Sequence, residues 1–266
     1  MAKSRLDEIV ENKKLEVEQR KKSCSASDVA SRALARLASK LFLKAISQCD
    51  KLNLIAEIKP KSPSAGVLRS EVSLDDVLDA YDAYASAISV LTDEKYFGGS
   101  LSLLEQVSHQ SKLPTLCKDF IIDPHQCYEA RLAGAQALLL IVKILQPEQL
   151  AHLHETAEEL GMSAVVEVQT EAEMATALRV NPSILLVNNR NLTTFEVDLS
   201  TTEKLAAMVP KSATLISASG IEERSDIERL SKHCNSFLIG SSLMRASDIK
   251  AKLRELSAQA KVPTEN

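Results

Sequence analysis

Charged residues at the end of one apolar run are the most informative feature of the sequence. Residues 52–58 are apolar enough to form a strand that is buried on both faces, yet the run ends with Glu57 and Lys59. Residues two apart in a strand point to the same side, so a carboxylate and an ammonium group are predicted to leave the strand together. Charges are rarely buried without a partner or a task. We therefore expect this strand end to belong to a functional site.

The residues that follow favour the binding of a phosphate. Positions 61–66 read Lys-Ser-Pro-Ser-Ala-Gly, a short segment rich in hydroxyl groups and backbone N–H groups beside a lysine. Loops of this composition hold anions through several N–H donors at once. Lys61 and Ser64 are the candidates here.

Eight predicted strands position such residues. From residue 52 onward, short apolar runs alternate with segments of helical period, which is typical of repeated βα units on a parallel sheet. The predicted strands are 52–58, 87–91, 115–118, 137–141, 164–168, 184–188, 214–218 and 236–239. Eight units in roughly 200 residues predict an α/β fold of the (β/α)8 TIM-barrel type. A doubly wound open sheet is the alternative, but its Gly-x-Gly-x-x-Gly motif does not follow the first strand.

The first 51 residues precede these units and have helical patterns of their own. The apolar residues of the first pattern share one face: Leu6, Ile9, Val10 and Val17. Further helical stretches are predicted at 28–38 and 41–46. We expect residues 1–51 to be a helical extension packed on the barrel, within a single domain of residues 1–266; a solvated amphipathic tail is the alternative. The run 13–22 is mixed in sign and is interpreted as a solvated helix face.

Polar or charged residues end nearly every predicted strand. In barrels of this kind, chemistry gathers at the C-terminal ends of the strands. The residues at these ends are Glu57, Lys59, Thr92, Lys118, Lys143, Glu167, Asn188, Arg190, Ser219, Gly240 and Ser241. A single charged residue at a strand end often points into solvent, but charged residues at the ends of strands one, three, five and six together predict a single site.

Composition argues against several classes of function. The net charge is −4 and there are five Phe, four Tyr and no Trp, which disfavours nucleic acid and anionic membranes as partners. The five cysteines form no C-x-x-C pair, as expected for reduced thiols, and no run approaches 18 apolar residues. His152 and His154 do not share a helix face, so no metal site is predicted. We expect a soluble cytoplasmic protein.

The motif from Glu57 to Gly66, Glu-x-Lys-x-x-Ser-Pro-Ser-x-Gly, resembles the first strand and loop of the indole-3-glycerol phosphate synthase family. Other stretches follow in the same order as in that family: 91–100, 113–123, 138–145, 166–168, 187–192 and 237–245. The resemblance implies a lyase of tryptophan biosynthesis. It implies that the substrate is a small phosphorylated molecule, 1-(2-carboxyphenylamino)-1-deoxyribulose 5-phosphate, and that the indole ring closes with loss of carbon dioxide and water. No cofactor is implied.

The resemblance also assigns catalytic roles. Lys118 is the expected general acid of ring closure, and Lys59 is expected to bind the anionic substrate and to share the acid role in dehydration. Glu167 is the expected general base, and Glu57 is expected to position a lysine and substrate hydroxyl groups. Repulsion from nearby cations is expected to lower the basicity of the two lysines. Those cations are Lys61, Lys143 and Arg190.

The resemblance suggests three binding groups. Asn188 and Arg190 are expected to engage the carboxylate or hydroxyl end of the substrate. The resemblance also places Asn188 among the catalytic residues. The wall for the aromatic ring is expected to contain Phe97, Phe120, Leu139 and Ile141, although the last two equally fit a plain barrel core. The phosphate is expected on the turns that contain Ser219, Gly220, Gly240, Ser241 and Ser242. Ser64 and Lys61 or Lys59 are expected to close over it. The resemblance also places Ser219 among the catalytic residues.

One position departs from the family pattern. The family usually has Glu-Ser-Gly-Ile where this chain has Ala218-Ser219-Gly220-Ile221. A slowed or specialised relative, or a non-catalytic binding subunit on the same barrel, is therefore an alternative. A phosphoribosylanthranilate isomerase is another, but it would need a Cys and Asp pair where Glu57 and Glu167 stand. Association with other tryptophan-pathway enzymes is also expected.

Overall fold

A closed barrel of eight parallel strands forms the centre of the chain. The structure, a computed structural model, describes residues 4–23, 25–36, 41–62, 66–67 and 73–258. Each barrel strand pairs with the next along the chain, and the last pairs with the first. The strands are β1 (Asn53–Ile58), β2 (Ala87–Leu91), β3 (Thr115–Lys118), β4 (Ala137–Ile141), β5 (Ser163–Val168), β6 (Ile184–Asn188), β7 (Thr214–Ala218) and β8 (Ser236–Ile239). The predicted (β/α)8 barrel is confirmed, and only β1 and β5 differ from their predicted bounds, by one residue each.

Helices surround the barrel and precede it. They are α1 (Arg5–Ser23), α2 (Ala26–Leu34), α3 (Leu41–Ile46), α4 (Leu74–Tyr84), α5 (Glu94–Phe97), α6 (Leu101–Gln110), α7 (Pro124–Leu132), α8 (Pro147–Glu159), α9 (Glu171–Ala177), α10 (Ser200–Ala206), α11 (Arg224–Leu230), α12 (Ser241–Arg245) and α13 (Ile249–Ser257). Single 3-10 turns occur at Val142–Ile144 and Leu178–Val180, and a short hairpin pairs Lys61–Ser62 with Gly66–Val67. Helices α5 and α12 are too short for a helical period to appear in the sequence.

Alternation along the strands divides the core into two layers. One set of strand residues fills the barrel interior, among them Ile55, Leu116, Leu139 and Val165. The residues between them, such as Leu54 and Cys117, pack under the surrounding helices. Because side chains alternate along a strand, the parity that buries Leu116 and Val165 inside the barrel also turns Lys118 and Glu167, two residues further along the same strands, towards its mouth.

The N-terminal helices cover both ends of the barrel interior. Phe42 and Ile46 of α3 are fully buried against the starts of the strands, where Ser236 Oγ donates to the carbonyl of Ile46 at 2.6 Å. Leu6 and Ile9 of α1 join the same interior cluster from the other end. No described helix is long and apolar enough to cross a membrane.

The interpretation of residues 13–22 as a solvated face is wrong at its first position. Lys13 is only 1% exposed, because the face of α1 that carries Leu6, Ile9 and Val17 also carries Lys13. Three carboxylates surround its ammonium group. A buried lysine surrounded by acids cannot be told from a solvated one by the pattern of charges alone.

Candidate active site

A chain of three charged groups lies at the C-terminal ends of β1 and β3. Lys59 Nζ lies 2.9 Å from Oε1 of Glu57, and Lys118 Nζ lies 3.2 Å from Oε2 of the same carboxylate. Glu57 is 2% exposed, whereas both lysines reach the cavity above it. The prediction that Glu57 and Lys59 leave the strand on one side is confirmed. The barrel adds Lys118 from a strand that lies two positions away.

The electrostatics of this chain favour the charged forms. Burial by itself would raise the pKa of Glu57, but the attraction of Lys118 and Lys59 outweighs burial and lowers that pKa to about 2. Burial would likewise lower the pKa of Lys118, yet attraction to Glu57 and Glu167 outweighs it and raises that pKa. The expected loss of basicity is therefore wrong for Lys118, because its nearest charges are acids.

Two of the cations that were expected to crowd the site bind elsewhere. Lys143 is exposed and its ammonium group donates to Thr193 Oγ1 at 3.0 Å. Lys61 donates to the carbonyl oxygen of Lys95 at 2.8 Å, and neither lysine lines the cavity. Ser64, predicted beside the phosphate, lies outside the described residues.

A second polar group faces the lysines from β5 and β6. Glu167 is 2% exposed, and Asn188 Nδ2 donates to its Oε1 at 3.0 Å. The Oδ1 of Asn188 accepts the backbone N–H of Arg190 at 3.0 Å, which fixes the orientation of the amide. Burial raises the pKa of Glu167 despite the opposing pull of Lys118 and of the Asn188 hydrogen bond. Glu167 is therefore a carboxylate that accepts a proton more readily than an ordinary glutamate.

An apolar wall completes the cavity. The predicted residues Phe97, Phe120, Leu139 and Ile141 all line it. The rings of Phe97 and Phe120 have centroids 6.0 Å apart and are tilted by 38°. The lining also includes four residues that the sequence patterns did not predict: Leu91, Asp119, Leu192 and Phe195. The position of Asp119 directly after Lys118 could have indicated that it belongs to the site. The alternation of side chains along β3, however, predicts that Asp119 faces away from the barrel interior.

A polar pocket adjoins the cavity at the ends of β7 and β8. It brings together the predicted residues Ser219, Gly220, Gly240, Ser241 and Ser242. Ser241 Oγ accepts a hydrogen bond from Lys59 Nζ at 3.0 Å, so this pocket shares an ammonium group with the ion chain. Ser219 and Gly220 both have positive φ angles, 69° and 81°.

Glycine is required at one position of this pocket. A Cβ atom on Gly240 would lie 2.3 Å from Oε1 of Glu57, far inside any normal contact. The backbone therefore passes directly over the carboxylate, and a larger residue would displace the acid that pairs both lysines.

Ala218 lies in the barrel interior and lines the polar pocket near Glu57. The departure from the family pattern therefore falls inside the site. Within the part of the chain that the structure describes, no group of three or more His, Cys, Asp or Glu residues is arranged to hold a metal ion.

A closed eight-stranded parallel barrel with paired acids and ammonium groups at its C-terminal strand ends defines the class of (β/α)8-barrel enzymes. The family model for indole-3-glycerol phosphate synthase matches residues 6–256. The chain therefore belongs to the indole-3-glycerol phosphate synthase family.

Similar proteins agree with this assignment. An indole-3-glycerol phosphate synthase of Polynucleobacter asymbioticus is 41% identical over 95% of this chain and 98% of that relative. One of Dehalococcoides mccartyi is 46% identical over 77% of this chain and 82% of the relative. The Vibrio cholerae protein named Tryptophan biosynthesis protein TrpCF is 42% identical over 81% of this chain, but the match covers 46% of that longer relative.

The barrel also resembles the fold of a solved structure with low sequence identity. A chain from the tryptophan synthase a2b2 complex of Pyrococcus furiosus superimposes with a TM-score of 0.59 over 77% of this chain and 98% of the other. The sequence identity is 16%, so this similarity concerns the fold alone.

Proposed function

We propose that this chain closes the indole ring of 1-(2-carboxyphenylamino)-1-deoxyribulose 5-phosphate to form indole-3-glycerol phosphate. The reaction releases carbon dioxide and water and belongs to tryptophan biosynthesis, so the enzyme is a carbon–carbon lyase. The observation that carries the proposal is the Lys59–Glu57–Lys118 ion chain, which lies between an apolar aromatic wall and a polar pocket. A substrate with an aromatic ring at one end and a phosphate at the other matches this polarity.

The two ends of the substrate have separate places in this proposal. The carboxyphenyl ring lies against Phe97 and Phe120, and the guanidinium group of Arg190 faces its carboxylate. The phosphate lies on the turns that carry Ser219 and Gly240, where backbone N–H groups and the ammonium group of Lys59 attract a dianion. The ketose carbonyl then lies between these ends, beside Lys118.

Lys118 assists ring closure. Attack of the ring carbon on the ketose carbonyl places negative charge on the carbonyl oxygen. An ammonium group that is already positioned and remains charged stabilises that oxygen and then protonates it. The raised pKa of Lys118 keeps the group charged at neutral pH, and Glu57 holds it in place.

Glu167 assists the elimination of water. After carbon dioxide has left, a proton must leave the new ring as the hydroxyl group departs from the other side. The buried Glu167, oriented by Asn188, accepts this proton, and Lys59 or Lys118 protonates the leaving hydroxyl group. The ring nitrogen supplies the electrons, so no cofactor takes part in the proposal.

The rival functions fit the site less well. A binding subunit has no need for a buried carboxylate with a raised pKa opposite a charged lysine, and Glu167 and Lys118 form that arrangement. The isomerase alternative needs a Cys and Asp pair where Glu57 and Glu167 stand. Ala218 leaves the ion chain intact, because Glu57 already pairs both lysines.

We further propose that residues 1–266 form one cytoplasmic domain, with residues 1–51 as an extension that packs on the barrel. The contacts of α1 and α3 with the barrel interior support this. Association with other enzymes of tryptophan biosynthesis is proposed as well, because matched regions occur within longer relatives such as the Vibrio cholerae TrpCF protein.

The function is tested by mixing purified protein with the anthranilate-derived ribulose phosphate and following indole absorbance. We expect steady formation of indole-3-glycerol phosphate. If the substrate is consumed without an indole product, or is not consumed at all, the proposed function is wrong.

Inorganic phosphate tests the placement of the phosphate end. We expect it to inhibit competitively, because clustered N–H groups at the ends of β7 and β8 and the ammonium group of Lys59 attract dianions. The measurement is the Michaelis constant at several phosphate concentrations and constant ionic strength. A Michaelis constant that does not change in high phosphate contradicts the placement.

A further inference from the structure

A buried lysine of the N-terminal helix joins two loops of the active site. Lys13 Nζ lies 2.9 Å from Oδ2 of Asp93 and 2.9 Å from Oδ1 of Asp119, and Glu16 Oε2 approaches it at 2.7 Å. Asp93 follows β2, and Asp119 follows β3. Lys13, Asp93 and Asp119 are each less than a tenth exposed. We call these three residues the Lys13 clamp.

Each carboxylate of the Lys13 clamp also holds the backbone of a phenylalanine in the cavity wall. Oδ1 of Asp93 accepts the N–H of Phe97 at 3.3 Å, together with that of Tyr96 at 2.8 Å. Oδ1 of Asp119 accepts the N–H of Phe120 at 2.7 Å. The two rings that face the cavity 6.0 Å apart are therefore linked through two carboxylates and one ammonium group.

We propose that Lys13 is a positioning residue that sets the spacing of Phe97 and Phe120 and so determines the affinity for the aromatic end of the substrate. This inference rests on the proposed function, because it assigns the substrate's carboxyphenyl ring to that wall. Lys13 does not line the cavity and acts through the two loops.

The electrostatics of the Lys13 clamp require the ammonium group. Burial would lower the pKa of Lys13, but the attraction of Asp119 and Asp93 outweighs burial and raises it. Without that charge, two buried carboxylates would face each other without a cation, and both repulsion and desolvation would drive them apart or into water. Their hydrogen bonds to the N–H groups of Phe97 and Phe120 would then move with them.

Other contacts show that α5, which carries Phe97, rests on α1. Lys95 Nζ donates to Oδ1 of Asn12 at 2.7 Å. This contact is exposed, however, and exposed polar contacts contribute little to stability. The buried Lys13 clamp is the contact that should dominate the position of the wall.

The test is the Lys13→Met variant, which keeps the apolar stem and removes the charge. We expect the Michaelis constant for the substrate to rise at least about tenfold while kcat falls by less than about threefold, the pattern of lost ground-state binding. The inhibition constant of inorganic phosphate should not change, because the phosphate end lies at β7 and β8. Lys14→Met, at the exposed neighbouring position, is the matched control and should behave as wild type.

A readout without substrate separates this inference from the proposed function. We expect the N–H groups of Phe97 and Phe120 to exchange with solvent faster in Lys13→Met than in Lys14→Met, while amides of the barrel strands do not change. A wild-type protein without turnover would refute the proposed function, but the exchange measurement would still test the Lys13 clamp.

Three outcomes overturn the inference. One is an unchanged Michaelis constant in folded Lys13→Met, and another is an equal loss of phosphate and substrate affinity, which would indicate general disruption. If Lys13→Met does not fold, Asp93→Asn replaces it, because asparagine keeps the helix-capping acceptor and removes one ion pair. An Asp93→Asn variant with wild-type affinity for the substrate is the third.

Discussion

Lys118→Ala is expected to lower kcat by at least ~100-fold, the usual scale for a positioned proton donor, and by more if the charge also stabilises the transition state. The ammonium group lies at the centre of the site, 3.2 Å from Glu57 and at the surface of the cavity. The Michaelis constant should change little, because the interaction is proposed to strengthen only as the carbonyl oxygen becomes negative. Steady-state kinetics of indole formation provide the measurement.

The fold should survive this change. Lys59 remains 2.9 Å from Glu57 and continues to pair the buried carboxylate, and the space left by the side chain opens into the cavity. Thermal unfolding should therefore shift by no more than a few degrees. Lys112→Ala, an exposed lysine just before the same strand, is the matched control. If Lys118→Ala keeps more than about a third of wild-type turnover with an intact fold, Lys118 is not the acid.

Glu167→Gln is expected to cost at least ~100-fold in kcat as well. The glutamine can still accept the hydrogen bond from Asn188, so the shape of the site is kept while the proton acceptor is lost. Because burial disfavours the carboxylate, as its raised pKa indicates, the neutral variant should unfold at the same temperature as wild type or slightly higher. Turnover and thermal unfolding are measured on the same preparation.

The pH profile gives a second readout for Glu167. A general base works when it is deprotonated, and kcat/KM reports the ionisation of the free enzyme, so wild-type kcat/KM should fall as the pH drops through the pKa of Glu167. Since that pKa is raised above the ordinary value of 4.5, the acid limb should lie above pH 4.5. In Glu167→Gln the limb should disappear and the residual rate should stay flat in this range. Glu171→Gln, at an exposed position on α9, is the matched control and should keep the acid limb of the pH profile. If the acid limb persists in Glu167→Gln, the limb belongs to a group other than Glu167.

Much of the barrel was predictable because it depends on local patterns. Six strands match their predicted bounds, among them Thr115–Lys118 and Ile184–Asn188, since a continuous apolar run between polar residues indicates a buried parallel strand. The alternation of side chains along β3 and β5 places Lys118 and Glu167 on the same side as the interior residues Leu116 and Val165.

The sequence by itself determined the strands, the residues at their ends and, through the motif of residues 57–66, the family. The pKa values of Glu57 and Lys118 were decided only by the tertiary structure. Distances between groups from different strands make Lys118 more basic instead of less and lower the pKa of Glu57 to about 2. The same holds for Lys13, whose burial between Asp93 and Asp119 depends on how α1 lies across two loops about 80 and 106 residues further along the chain. Coulomb energies depend on separation in space and on burial, and neither quantity is contained in a local pattern of residues.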